Sequence, residues 1–237
     1  MPSSISATID YFFHEGKENL DDCLRLSFEA AARREVRKIV IFTAIGQGPK
    51  LAIEKFCSQP CFSGIRIIAV TFPYGQYFTD SEKKPVALDI SAENRELFKN
   101  SDVPIVRAHL PFNPISAHHK GHGILGQDLT LIGNALSIFC GSMSLCVQAA
   151  LMACDAGLVG LGEHVIAITS DTSILVRCAP TGRLLTDFIV REIICKPMSL
   201  TISKGEKRLQ TIEAPLSLEA SEDQKRLMDT AESALDE

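Results

Sequence analysis

Apolar residues along this chain alternate between helical spacing and unbroken runs. Leu20, Cys23, Leu24, Phe28 and Ala31 fall on one face of a 3.6-residue period, which predicts an amphipathic helix over Asp21–Glu35. On its polar face Asp21 and Arg25, and Glu29 and Arg33, lie four apart in the favourable order, each pair worth about 0.3 kcal/mol. Asn19 reads as the N-cap, and Asp22 adds negative charge to the first turn. Arg37-Lys38 then introduce Ile39-Val40-Ile41-Phe42, the continuous apolar run that a strand covered on both faces requires.

The alternation continues. A helix is predicted over Gly48–Cys57, a strand over Ile65–Phe72, and a helix over Ser91–Asn100 with Ser91 as cap. The strand Val103–Ala108 carries Pro104 near its start, where a missing N–H does least harm. Two helices follow, Ile124–Phe139 and Ser142–Gly157, divided at Gly141-Ser142. The strands Val165–Thr169 and Ser173–Cys178 are joined by so short a loop that they must pair antiparallel; Phe188–Cys195 is a further strand. Strands and helices in this order make an α/β layered domain whose sheet is mixed. The domain is assigned to residues 1–197. Residues 198–237 read as an extension: Leu200 and Ile202 suit an added edge strand, and Ser221-Glu222-Asp223-Gln224 opens a helix with the apolar stripe Leu227, Ala231, Ala234 and Leu235.

Leu129–Cys154 has no charged residue and is long enough to span a bilayer. Thr130, Asn134, Ser137, Ser142, Ser144 and Gln148 interrupt it, and the nearest basic residues, Lys120 and Arg177, lie too far away to anchor it. Two buried helices are expected instead, and no membrane partner. At 237 residues, 46% hydrophobic and 22% charged, the chain is neither fibrous nor wholly disordered. Lys+Arg 24 against Asp+Glu 29 gives a net charge of −5, which argues against neutralising nucleic-acid phosphates. Met1-Pro2-Ser3-Ser4-Ile5 shows no basic or apolar leader, so a cytoplasmic protein is expected. The eight cysteines sit mostly in apolar stretches and read as buried free thiols. Cys57 and Cys61 have no second Cys pair at metal-ligand spacing, and no metal is expected.

Gly-x-Ser-x-Gly, Walker, Gly-x-Gly-x-x-Gly and His-Glu-x-x-His patterns are absent. His118, His119 and His122 lie among Gly121 and Gly123 and read as a solvated loop. His109, at the carboxyl end of a strand, suits either ligand contact or a structural hydrogen bond. Ligands of open α/β sheets bind beyond the carboxyl ends of the strands. That places Thr43, Gly46, Gln47 and Gly48, on a strand-to-helix turn, in the position of an anion cradle. Pro49 suits the first helical turn.

Tyr11-Phe12, Gly16-Lys17-Glu18-Asn19 and Lys38-Ile39-Val40-Ile41 lead into that glycine turn. With Leu145-Cys146-Val147-Gln148, Met152-Ala153-Cys154-Asp155-Ala156-Gly157-Leu158, Glu163-His164-Val165-Ile166-Ala167, Asp171-Thr172 and Glu192-Ile193-Ile194-Cys195-Lys196-Pro197, they run in order over residues 9–197. Together they resemble the stand-alone proteins related to the pyruvate kinase C-terminal domain. The resemblance implies a three-layer α/β/α fold with a mixed, mostly parallel sheet. It implies a phosphorylated effector or flavin mononucleotide (FMN) bound at the loop, with Thr43 and Gly46 matching the loop and Asn19, His109, Asp171 and Thr172 matching the same edge. Ala44 and Gly48 stand where that family has hydroxyl donors, Gln148 replaces a glutamate, and Leu20 a capping threonine.

The expected function is therefore binding of a phosphorylated small molecule or flavin nucleotide, in a regulatory role, by a homo-oligomer. A flavin- or cysteine-dependent enzyme is the alternative, with Cys140, Cys146, Cys154 and His109 as the groups to supply a thiolate and base. An assembly module acting through the terminal helix is a third reading.

Overall fold

The computed structural model describes residues 7–79, 84–113 and 127–198. The His118–His122 cluster, the added strand and the terminal helix lie outside them. The elements in chain order are β1 Asp10–Phe12, α1 Leu20–Arg33, β2 Lys38–Phe42, α2 Gln47–Ala52, β3 Arg66–Thr71, β4 Tyr77–Thr79, β5 Pro85–Ala87, α3 Ala92–Asn100, β6 Ile105–Arg107, α4 Gln127–Leu136, α5 Met143–Asp155, β7 His164–Ile168, β8 Ser173–Arg177, α6 Leu184–Asp187 and β9 Ile189–Pro197.

Among the described residues, seven strands form one sheet in the order β1-β9-β8-β7-β2-β3-β6. The pairs β1–β9, β2–β3, β2–β7 and β3–β6 are parallel; β7–β8 and β8–β9 are antiparallel. The fold is thus α/β with a mixed, mostly parallel sheet, and the short loop after β7 makes the antiparallel pair that its length requires.

Strand alternation divides the core in two. Val40, Phe42, Ile68, Val70, Val165 and Ala167 pack beneath α5 and α4, while Ile39, Ile41, Ile67, Ala69, Ile166 and Ile168 pack beneath α1, α2 and α3. Helices therefore cover both faces, which is why these strands are apolar throughout. Helix α5 is buried over most of its length, from Met143 to Cys154. That accounts for the charge-free run from Met143 onward; α4 and the turn after it, expected to be buried, are instead largely exposed, Leu131, Ile138 and Phe139 among them. Among the described residues, no helix is long and apolar enough to cross a membrane.

Several expectations are corrected in detail. Asn19 is not a side-chain cap: a 3₁₀ turn, Lys17–Asn19, precedes α1, and Asn19 Nδ2 donates to the His14 carbonyl at 2.7 Å. Arg25 pairs with Asp22 at 3.1 Å and Glu29 at 3.2 Å, while Asp21 reaches Lys55 at 2.8 Å on the neighbouring helix. The helix expected over Gly48–Cys57 widens after Ala52 into a π-helical turn, Ile53–Cys57. Ser91 caps α3 as its sequence suggests, accepting from the Asn94 N–H at 3.2 Å. Strand β1 and the β4–β5 hairpin had no sequence signal, being three residues each and largely exposed. Of the eight free cysteines six are buried, but Cys57 and Cys61 are exposed.

Candidate functional site

Parallel strands β2, β3 and β6 end at the same edge of the sheet; β3 and β6 end on the polar residues Thr71 and Arg107, and β2 runs from Phe42 directly into Thr43. Register sets Ile41 opposite Ala69, and Thr71 opposite Arg107. The Thr43 N–H continues the ladder by donating to the Val70 carbonyl at 2.8 Å. Alternation from Ile41 and Ala69 puts Thr43, Thr71 and Arg107 on one face in a row, toward α2 and α3. Strands in a sheet stand about 4.8 Å apart, so the row spans roughly 10 Å.

The loop after β2 turns on Gly46, whose φ of +92° lies in the left-handed region. The Gly46 N–H donates to Thr43 Oγ1 at 3.0 Å, and Lys50 N–H makes the first helical bond back to the Gly46 carbonyl at 3.1 Å. Pro49 has no N–H, so Gln47 and Gly48 carry the amides at this helix start that have no acceptor within the helix. Gln47 is exposed; Gly48 is buried, and a Cβ there would meet Ile41 Cγ2 at 2.9 Å. The other flank of the loop is filled. Asn94 Nδ2 donates to the Ile45 carbonyl at 3.1 Å, and a Cβ at Gly46 would come within 2.9 Å of that amide and 3.1 Å of Ile90 Cγ2.

Asp171 and Thr172 lie along the same edge, in the turn that joins β7 to β8. The turn closes with Thr169 N–H donating to the Thr172 carbonyl at 2.9 Å. Asp171 is only 2% exposed, and its carboxylate accepts the Gly16 N–H at 3.0 Å and the Thr172 hydroxyl at 3.1 Å. The Asp171 bond to Gly16 draws the segment after β1 onto the hairpin, which brings Asn19 to the same edge. Every one of these contacts is internal, so this group holds the chain together. Cys140 Sγ lies 3.3 Å from Thr172 Oγ1, Cys146 Sγ donates to the Thr172 carbonyl at 3.4 Å, and Cys23 and Cys195 sulfurs are 3.5 Å apart. Burial pushes the thiols of Cys23, Cys140 and Cys146 up, and that of Cys154 as well. A thiolate nucleophile gets no support from such surroundings.

His109 is exposed beyond β6, its Nε2 against the Asn113 carbonyl. It lines a groove of about 510 Å³ with Pro104–Ala108 and with Met152, Asp155, Ala156 and Leu158 at the end of α5. Gln148 holds this segment in place: its Oε1 accepts the Phe112 N–H at 2.9 Å, and its Nε2 donates to Ser144 at 3.2 Å. Asn19, Asp171 and Thr172 thus gather on one side of the edge, the Thr43–Gly48 loop stands at its middle, and His109 lies at the far strand. Among the described residues no three His, Cys, Asp or Glu side chains converge as metal ligands.

Two residues had not been singled out from the sequence. Thr71 is 0% exposed and its hydroxyl has no hydrogen-bond partner; Arg107 Nη1 is buried and equally without one. Arg107 Nη2 donates to Asp89 Oδ1, and Arg95 donates to the other oxygen, Oδ2, at 2.6 Å. Burial alone would raise the Asp89 carboxyl, but hydrogen bonds from Arg107 and Arg95, with their charges, hold it below its ordinary value. The only sequence signal was that Ile39–Phe42 and Ile67–Val70 both run directly into threonine.

No family model matches the chain. It is weakly similar in structure to Cryptosporidium parvum pyruvate kinase, with 19% identity and a TM-score of 0.32. The match covers 70% of this chain and 23% of the kinase, so the chain spans less than a quarter of that protein's length.

Proposed function

We propose that this chain binds a phosphorylated small molecule at the carboxyl edge of its sheet, through the β2–α2 loop, and acts by binding rather than by turnover. The observation that supports the reading is the left-handed Gly46, which turns strand into helix and leaves the Gln47 and Gly48 amides at the helix start. Thr43 Oγ1 already accepts from Gly46, so its own proton is available to an anion. Burial pushes the thiols of Cys23, Cys140, Cys146 and Cys154 up, which speaks against a cysteine nucleophile.

Membership of the pyruvate kinase C-terminal-domain-like proteins belongs to the same proposal, as do homo-oligomer formation and a cytoplasmic location. For FMN the fit is at the phosphate end. Asn94 and Ile90 fill the α3 side of the loop, so the flavin ring would lie on the solvent side, over exposed Ile45 and Gln47.

Thermal melting against matched pairs tests this: FMN with riboflavin, and sugar phosphates with the free sugars. A phosphorylated member at one hundred times its Kd should add about 2.7 kcal/mol, its dephosphorylated partner nothing. Equal responses within every pair would contradict the proposal.

A further inference from the structure

Buried donors without acceptors are rare in folded proteins, and here two stand opposite each other. Thr71 and Arg107 are register partners at the ends of β3 and β6, so their side chains leave the same face of the sheet. Thr71 Oγ1 and Arg107 Nη1 are both buried and unpartnered. Asp89 is shared by two guanidinium groups, Arg95 and Arg107, which leaves one positive charge in excess.

We infer that Arg107 Nη1 and Thr71 Oγ1 form a second anion-recognition point, which receives one oxyanion of a ligand, a phosphoryl or carboxylate group. The guanidinium supplies the charge and a directed N–H, and the hydroxyl a second donor from the adjacent strand. Asp89 fixes Arg107 through Nη2 and leaves Nη1 for the guest. The exposed side chain beside the pair is Tyr74, 82% exposed, whose ring lies 5.9 Å from the guanidinium carbon, so a guest would enter past that ring. The Arg107 side chain itself is 23% exposed. This site goes beyond the loop reading and stands without it.

The test titrates the full chain with inorganic phosphate and, separately, with acetate, at constant ionic strength, and follows the melting temperature. Apparent Kd values are fitted for the wild type, Thr71→Val, Arg107→Met and Thr43→Val. Thr71→Val is the deciding variant, because it keeps the shape of the side chain and removes an unpartnered hydroxyl. At least one anion should raise the melting temperature saturably in the wild type. Its Kd should weaken about tenfold in Arg107→Met and severalfold in Thr71→Val. Phosphate alone acting identifies a phosphoryl group, and acetate acting as well admits a carboxylate. A wild type insensitive to both anions overturns the inference, and so does an unchanged Kd in folded Thr71→Val. Thr43→Val reads the loop separately: loss there with Thr71→Val unchanged keeps the loop reading and removes this one.

Discussion

The two halves of the carboxyl edge are built from similar residues and treat them oppositely. Around the β7–β8 turn, Asp171, Thr172, Thr169 and the Gly16 amide bond to one another. Two and three strands further along, beyond the β2–α2 loop, Thr71 and Arg107 keep buried donors with no acceptor. A satisfied polar cluster contributes stability and has nothing left to offer a guest. An unsatisfied one costs stability in the free protein and regains it when an acceptor arrives. On this edge, then, unmet hydrogen bonds are a better guide to binding than the mere presence of Asp and Thr.

The contrast is most exposed at Asp171. Asp171→Ala would remove the acceptor of the part-buried Gly16 N–H and of the buried Thr172 hydroxyl, and should cost about 2 kcal/mol in urea unfolding. Anion response at Arg107 should survive in whatever folded protein remains. A loss below ~0.5 kcal/mol would mean that the turn is not held as described. Next in size is the hinge between the halves. Gly46→Ala places a side chain at φ +92° and against Asn94, and should cost about 1–2 kcal/mol by thermal unfolding.

Two matched substitutions sharpen the comparison. Thr172→Val removes a hydroxyl bonded to Asp171 and should destabilise by about 1 kcal/mol. Thr71→Val removes an unpartnered one and should be neutral or stabilising by up to about 1 kcal/mol. Equal losses in the two would erase the distinction between the halves.

The smallest effect is a control at the opposite, amino edge. Glu163 accepts from Lys38 at 2.9 Å and from the Gly160 N–H at 2.8 Å. Burial opposes its ionisation, but these bonds outweigh it and lower the carboxyl below its ordinary value. A lowered folded-state value means stabilisation at neutral pH that disappears as pH falls through it. Since the pair is partly exposed, Glu163→Gln should cost about 0.5 kcal/mol at pH 7. The wild type and variant should converge under acid, with no change in anion response at any pH.

Much of this was readable in the chain. The runs at Ile39–Phe42, Ile67–Val70 and Val165–Ile168 are apolar because helices cover both faces, so strand, layer and sheet type followed from pattern. The Thr43–Gly48 turn followed from its glycines, and Gly46 is indeed left-handed. Asn19 misled because a 3₁₀ turn, invisible in composition, occupies the position before α1. Strand β1 was missed because three largely exposed residues at a sheet edge carry no periodicity. Thr71 and Arg107 were missed for a deeper reason. They are 36 positions apart in the sequence, and their significance arises only when β3 and β6 pair and two donors are left without acceptors.

Amide NMR on the full chain, titrated with inorganic phosphate, tests the central claim most directly. The account predicts saturable shifts at Gln47, Gly48, Thr71 and Arg107, while Gly16, Asp171 and Thr172 hold still. Shifts centred on Asp171 and Thr172, with the other four unmoved, would contradict it.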